Sequence, residues 1–327
     1  MTCEDVRNYD IRRMFVPQKS GDTQTMTETM ISPVEPAEHY IARNARLIDR
    51  YRFAYLFQNG PAEPVRAALD TYRNVDGGYG NALEPDLRGH ASQPLAAATA
   101  LSVLDELGPL PRDVLPGLLR YLTSVSRPDG GLPPVLPGVR HSDAAPWWRE
   151  LTDHSSALDP TAFIVALLHK HHAPSRWRDH ATAFCWTRIA ALRWIRPEQA
   201  VAVCTFLEHV SDRERAQTEL RRLAPMLLRT VTMTPGTFRG PTPLDLAPTP
   251  RHIIRPLFAD TLIRAHLDAL QAAQALDGGW PAEHIAWCPG AHAAQRDLAT
   301  LRALTALRDN GRLGGSTPVR QRTPADA

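Results

Sequence analysis

Two carboxylates separated by one proline are the first residues in this chain that could do chemistry together. In "NALEPDLRGH", residues 81–90, Glu84 and Asp86 flank Pro85, and Arg88 and His90 follow. Proline restricts the residue before it to extended backbone, so both acids are expected to project from a stiffened loop. Rigid loops over a pocket mouth are where reacting groups tend to sit. A third acid, Asp245, stands in another proline-stiffened loop, "TPLDLAPTP". Acids on separate loops suit proton transfer, and they also suit binding of a cationic or hydroxylated ligand. The plain structural alternative is a solvated pair between Asp86 and Arg88. A fourth acid, Asp159 in "ALDPTAFIVALL", precedes Pro160 at the head of an apolar run. That pattern reads as an N-cap followed by proline at the first helical position, or as a buried acid facing a cavity.

Other chemistries are less well supplied. His284, Cys288 and His292 recur every four residues with Asp297 beyond. These are zinc-ligand types, but Pro289-Gly290 is expected to interrupt any helix carrying them, so no metal is expected. His169, His171 and His172 close a helical run, where imidazole favours the helix dipole, and are read as surface. "SSALD" and "HSD" supply Ser, His and Asp in no arrangement diagnostic of a triad. No phosphate loop, dinucleotide fingerprint or nucleophile elbow occurs, so no cofactor is expected. Trp147, Trp148 and Trp287 could line a cavity and stabilise cations through their ring faces. At helical spacing, tryptophans are more often core.

These residues need elements to position them, and the elements are helices. Of the 327 residues, 43% are hydrophobic and 22% charged, as in a globular domain with a substantial core. The formal charge of +2 is too near neutral to argue for nucleic acid. The 29 prolines are well above the usual share of about 5%, so the helices must be cut into many pieces. No apolar run approaches the roughly 20 residues that cross a bilayer, and no stretch reads as a signal peptide. The four cysteines show no paired spacing, and a reducing cytoplasm is the expected home. Residues 1–35 are expected to form a mobile leader and 314–327 a disordered tail, leaving 36–313 as the folded domain. Helical periodicity recurs from 38–58 through "QRDLATLRALTALRDNG", with no convincing strand alternation.

One short pattern returns along the chain: "NVDGGYGN" at 74–81, "RPDGGLPP" at 127–134 and "LDGGWP" at 276–281. The Gly-Gly pairs start at 77, 130 and 278, which fits a period of about 50 residues, the length of a helix pair plus two loops. "TPGTF" at 234–238 stands near one of the missing copies. Glycine suits such a turn because left-handed backbone costs it little, and Asp can accept from the amides that follow. Five to six such hairpins would close into a ring.

"QALDGGW", Gln274–Trp280, resembles the Gln-x3-Gly-x-Trp motif of squalene-hopene cyclases, and the other two turns resemble the degenerate versions in protein prenyltransferase β subunits. Over about residues 40–312 the chain is similar to that terpenoid cyclase and prenyltransferase superfamily, and closest to its single-toroid, prenyltransferase-like bacterial members. The resemblance implies an all-α fold, a single α/α toroid. It implies that Gln274 and Trp280 clasp neighbouring repeats rather than catalyse. Laid on the Asp-x-Asp-Asp-Thr-Ala pattern of class II cyclases, Asp159 falls on the proton-donating middle aspartate and Thr161-Ala162 match, while Ala157 and Pro160 replace the flanking acids. Glu84, Asp86 and His154 are then the nearest groups along the chain to return its proton. The expected function is a terpene-cyclase-like enzyme that protonates and cyclises an isoprenoid, or another apolar small molecule, in a central cavity. A toroid that binds a lipid or peptide without catalysis is one alternative. A carbohydrate-active barrel using paired carboxylates is another. Peripheral membrane contact is compatible with such a ligand, and the sequence leaves the oligomeric state open.

Overall fold

A computed structural model describes residues 32–237, 240–282 and 285–313. Among them every regular element is helical, with isolated antiparallel bridges such as Leu87 with Ala144. The helices are α1 (Val34–Asn44), α2 (Leu47–Phe57), α3 (Glu63–Asp70), α4 (Pro94–Glu106), α5 (Leu115–Val125), the single turn α6 (Pro146–Arg149) and α7 (Leu158–Lys170). They continue with α8 (Arg176–Ala190), α9 (Pro197–His209), α10 (Arg213–Thr230), the single turn α11 (Pro243–Leu246), α12 (Asp260–Ala272) and α13 (Pro289–Asp309). Proline explains much of this segmentation, because it stands at the first or second position of α3, α4, α5, α6, α9, α11 and α13. There its missing N–H costs nothing.

Taken two by two in chain order, α1–α2, α3–α4, α5–α7, α8–α9, α10–α11 and α12–α13 are six successive pairs, of which α1 with α2, α3 with α4, and α12 with α13 are in direct contact. The first helix of each pair also packs on the second helix of the pair before it. Thus α3 lies on α2, α5 on α4, α8 on α7, α10 on α9 and α12 on α11. The series returns to its start, because α1 lies on α13. Second helices touch one another as well: α4 with α7, α7 with α9, α9 with α11, and α13 with α2. This explains why α7 buries nearly its whole circumference, Leu158, Pro160–Ala162 and Ile164–His169. A helix that is apolar all round belongs in an interior.

The three Asp-Gly-Gly turns are built alike. In each, the first glycine has φ between 86° and 90° and donates 2.9 Å back to the carbonyl three residues earlier, in Asn74, Arg127 or Ala275. The aspartate accepts from the second glycine: Asp76 at 2.8 Å, Asp129 at 3.1 Å, Asp277 at 3.1 Å. Each first glycine sits on a backbone carbonyl of the next pair's first helix (Gly117, His180 or Pro36), where a Cβ would collide. Each second glycine meets the aromatic ring four residues further along that helix: Tyr121, Phe184 or Tyr40. The clasp expected of Gln274 is present, its Nε2 donating to Pro33 O at 2.9 Å and Gly278 O at 2.8 Å. Trp280 is buried and its Nε1 donates to Leu270 O at 2.7 Å.

Several expectations change. The run 38–58 is two helices, because Ala45 and Arg46 are extended and the Asp297 carboxylate accepts from Arg46 N at 3.3 Å. The folded part begins earlier than residue 36, since α1 starts at Val34; residues 1–31 of the expected leader and the tail 314–327 lie outside the described residues. Ala157, not Asp159, is the N-cap of α7, which puts Asp159 at the second helical position. Pro289 starts α13 rather than interrupting it, with Cys288 as N-cap. His169 is buried and bonds Thr182, and His171 Nε2 lies 2.7 Å from Asp105, so these two imidazoles are not surface groups.

Candidate functional site

The loop between Tyr79 and Ser92 is pinned from three sides. Leu87 and Ala144 form a bridge, with Arg88 N donating to Asp143 O at 2.7 Å and Ala145 N donating to Asp86 O at 2.9 Å. Beneath it, Leu87, Val135, Val139 and Ala144 make a small apolar core against which Trp148 packs. From the α1–α2 corner, Arg46 Nη1 donates to Ala82 O at 3.1 Å and Leu83 O at 3.0 Å. That grip holds Asn81 and Ala82 at φ of 57° and 66°, a left-handed conformation costly for alanine. Strain of this kind persists only where surrounding contacts over-determine it.

The two acids of this loop reach different helices. Glu84 Oε2 accepts from Thr99 Oγ1 of α4 at 2.6 Å. Asp86 Oδ1 accepts from Gln295 Nε2 of α13 at 3.1 Å. Desolvation raises the Glu84 carboxyl above its ordinary range, and the Asp86 charge adds to the rise; the Thr99 hydrogen bond and the Arg302 and Arg46 charges oppose it. Glu84 is therefore biased toward the protonated form while facing a second carboxyl group. Arg88 lies over Gly290 at the start of α13, where a Cβ would come 3.1 Å from its Cζ. His90 is exposed, with Nδ1 3.2 Å from Asn81 Oδ1. Two buried polar atoms beside the start of α13 have no hydrogen-bond partner among the described residues, Gln295 Oε1 and Trp287 Nε1.

The other candidates lie apart from this loop in their bonding. Asp159 sits mostly buried in the first turn of α7, and desolvation raises its carboxyl. Arg196, at the entry to α9, approaches it at 3.4 Å and opposes that rise. Arg196 also lines an open hollow of about 400 Å³ with Ala191, Leu192, Arg193, Trp194 and Gln199. Asp245 is exposed and closes a capping box, its Oδ2 accepting from Thr242 N at 2.6 Å and Thr242 Oγ1 at 2.7 Å. His154 Nδ1 lies 3.0 Å from Val135 O, and its carbonyl accepts from Arg127 at 2.6 and 2.9 Å. Trp147 projects to solvent. Thr161, which matched the cyclase pattern, accepts from Leu132 N at 2.8 Å; Thr300 accepts from Trp280 N at 3.0 Å in the same way. It is a repeat residue.

Cys288 Sγ accepts from Ala291 N at 3.3 Å as a helix cap, and Asp297 is turned to Tyr40 and Arg46. His292 is exposed, while His284 lies outside the described residues.

Compared with known proteins, the chain matches no family model and no curated protein. The resemblance drawn from the turns stands on those residues alone. Thr99, Gln295, Arg302 and Arg46 carry no local signal in the sequence. Gln295 meets Asp86 across 209 residues, and only the return of α13 to the first pairs brings them together.

Proposed function

We propose that the six helix pairs form an α/α toroid, with α2, α4, α7, α9, α11 and α13 as the inner ring, and that it acts on an isoprenoid or similar apolar chain. The cyclic order of helix contacts supports the toroid. The observation that carries the chemistry is Glu84: a desolvated carboxyl, raised above its ordinary range, beside Asp86 and gripped by Thr99. A carboxyl kept protonated by desolvation can serve as a general acid. Glu84 is assigned as the acid and Asp86, oriented by Gln295, as the group that resupplies its proton from solvent. The Glu84 proton passes to an alkene carbon, and the alkene electron pair becomes the new C–H bond. The cation left behind is attacked by a second alkene, closing a C–C bond, and the final cation loses a proton to water. Asp159 is second choice, because the Arg196 guanidinium favours its ionised form.

The test is incubation with C15 to C30 isoprenoids and product analysis by gas chromatography with mass spectrometry. Glu84→Gln should abolish cyclised product while keeping the Thr99 contact, and Asp159→Asn should retain most turnover. Loss of turnover in Asp159→Asn alone would return the acid to that position. The Asp159–Arg196 pair favours a second reading, a toroid that binds an apolar chain without reacting it. Binding of the chain to wild type and Glu84→Gln with no turnover by either would establish that reading.

A further inference from the structure

Arg46 stands at the corner between α1 and α2, and its bonds run to three parts of the fold. Its backbone N–H is held by Asp297 of α13 at 3.3 Å. Its Nε donates at 2.7 Å to Asp49, a fully buried carboxylate that also takes Arg52 Nη1 at 2.7 Å. With Nε fixed there, the plane of the guanidinium is set, and Nη1 meets the carbonyls of Ala82 and Leu83. Among the described residues, hydrogen bonds from outside the loop reach residues 82–84 from two places, Arg46 and Thr99. The remainder of the loop is tied elsewhere, with Asn81 N donating to Gly89 O at 2.9 Å and Leu87 bridged to Ala144. The backbone that leads into Glu84 therefore depends on Arg46. It is also the strained part, since Ala82 has a φ of 66°.

We propose that Arg46 is a positioning residue of the candidate site, clamping the turn at Asn81 and Ala82 so that Glu84 stays against Thr99 and out of water. The inference rests on the assignment of Glu84 as the acid and adds the residue that keeps it in place. Without the clamp, Ala82 leaves the left-handed region, which an L-residue disfavours, and Leu83 and Glu84 move with it. The groups that face the Glu84 carboxyl are Thr99 from α4, Asp86 from its own loop, Arg302 from α13 and Arg46 itself. Burial outweighs the Thr99 bond and the two cations, and holds the carboxyl above its ordinary range. Release of the loop removes that burial, so the carboxyl falls back to the ordinary glutamate range. Loss of the Arg46 charge with the loop in place would push it further up instead. The two roles open to Arg46 thus have opposite signs. Asp297 fixes Arg46 and Gln295 fixes Asp86, so α13 governs both acids of the loop.

Glu84 is titrated by nuclear magnetic resonance in the full chain labelled at the glutamate carboxyl carbons, its signal identified by its absence from Glu84→Gln. Arg46→Lys keeps a cation beside Asp49 but replaces the planar fork with a shorter point charge, which cannot hold both carbonyls. In that variant the Glu84 titration should fall to the ordinary glutamate range. Adding Ala82→Gly should restore it to the wild-type position, because glycine keeps a positive φ without help. A residue that only stabilised the fold would not be rescued there. Ala82→Val leaves Arg46 intact and sets a β-branched residue where φ is positive, so Glu84 should again move down; this variant decides the matter if Arg46→Lys does not fold. The proposal is overturned if Glu84 titrates in the ordinary range in wild type. It is equally overturned if either single variant leaves Glu84 unmoved or pushes it up, or if Ala82→Gly gives no rescue. These titrations stand apart from isoprenoid turnover, whose retention in Glu84→Gln would overturn the assignment of the acid instead.

Discussion

Asp297 holds the corner between α1 and α2 with both carboxylate oxygens, taking Tyr40 Oη–H at 3.2 Å and Arg46 N–H at 3.3 Å. It is buried, and desolvation together with the nearby Asp49 charge raises its pKa from 3.8 to about 6. The consequence for stability has a definite sign. Well below pH 4 the carboxyl is protonated in both folded and unfolded chains, and it costs nothing. As pH rises from 4 to 6 the unfolded chain ionises freely while the folded one resists, so folding weakens by something on the order of 2–3 kcal/mol. Asp297→Asn can keep a bond to each partner without a charge. Its stability relative to wild type should therefore climb between pH 4 and pH 7, as read by urea unfolding at each pH. If the difference is flat across that window, Asp297 is ionised at little cost and the argument fails. Its neighbour Arg46 donates 2.7 Å to Asp49, which also takes Arg52, and Arg52 forks onto Glu106 at 2.6 and 2.9 Å. One chain of charges thus ties α13 through α2 to α4.

At the scale of elements the Asp-Gly-Gly turn is the recurring part, and two separable demands fall on its first glycine. One is the positive φ, which any L-residue resists by about 1–2 kcal/mol. The other is the carbonyl of the next helix, which leaves no room for a methyl group. Gly108 isolates the first demand: its φ is 108° and nothing lies within 4 Å of a Cβ built there. Gly108→Ala should cost about 1 kcal/mol, whereas Gly278→Ala should cost about 3 kcal/mol or more, because α1 must move away from the turn. Equal costs in thermal or urea unfolding would mean that the seat on Pro36 is not tight. The pairs without this turn use other devices, and α1 turns into α2 through Ala45 and Arg46 alone.

For the whole molecule, the contact of α1 with α13 joins the two ends of the described chain. Gln274 donates to Pro33 O, Gly278 and Gly279 sit on Pro36 and Tyr40, and Arg296 lies 4.7 Å over the Tyr40 ring. A chain lacking residues 1–46 would lose all of these and leave the last pair open on one side. It should unfold at lower temperature and in a broader transition, with hydrogen exchange accelerated first in α12 and α13. A truncated chain that melts as sharply as the full one would show that the contact of α1 with α13 adds little.

Much of this was legible in the residues. Helical periodicity and proline placement marked out most of the helices, and the Asp-Gly-Gly spacing marked the links within pairs, because both are local constraints of backbone geometry. "TPGTF" fell within the link between α10 and α11, near the place the period gave it, whereas one period after the turn at Gly130 falls inside α8 rather than in a link. Local signals failed where a contact from far along the chain overrode them. The break at Ala45-Arg46 depends on Asp297, and the bonds of Glu84 and Asp86 depend on Thr99 and Gln295. Spacing could propose that Glu84 and Asp86 stand together. That Glu84 is desolvated, and what each of the two grips, follows from the packing of α13 and α4 around this loop, since burial and charge proximity are properties of packing and not of sequence order.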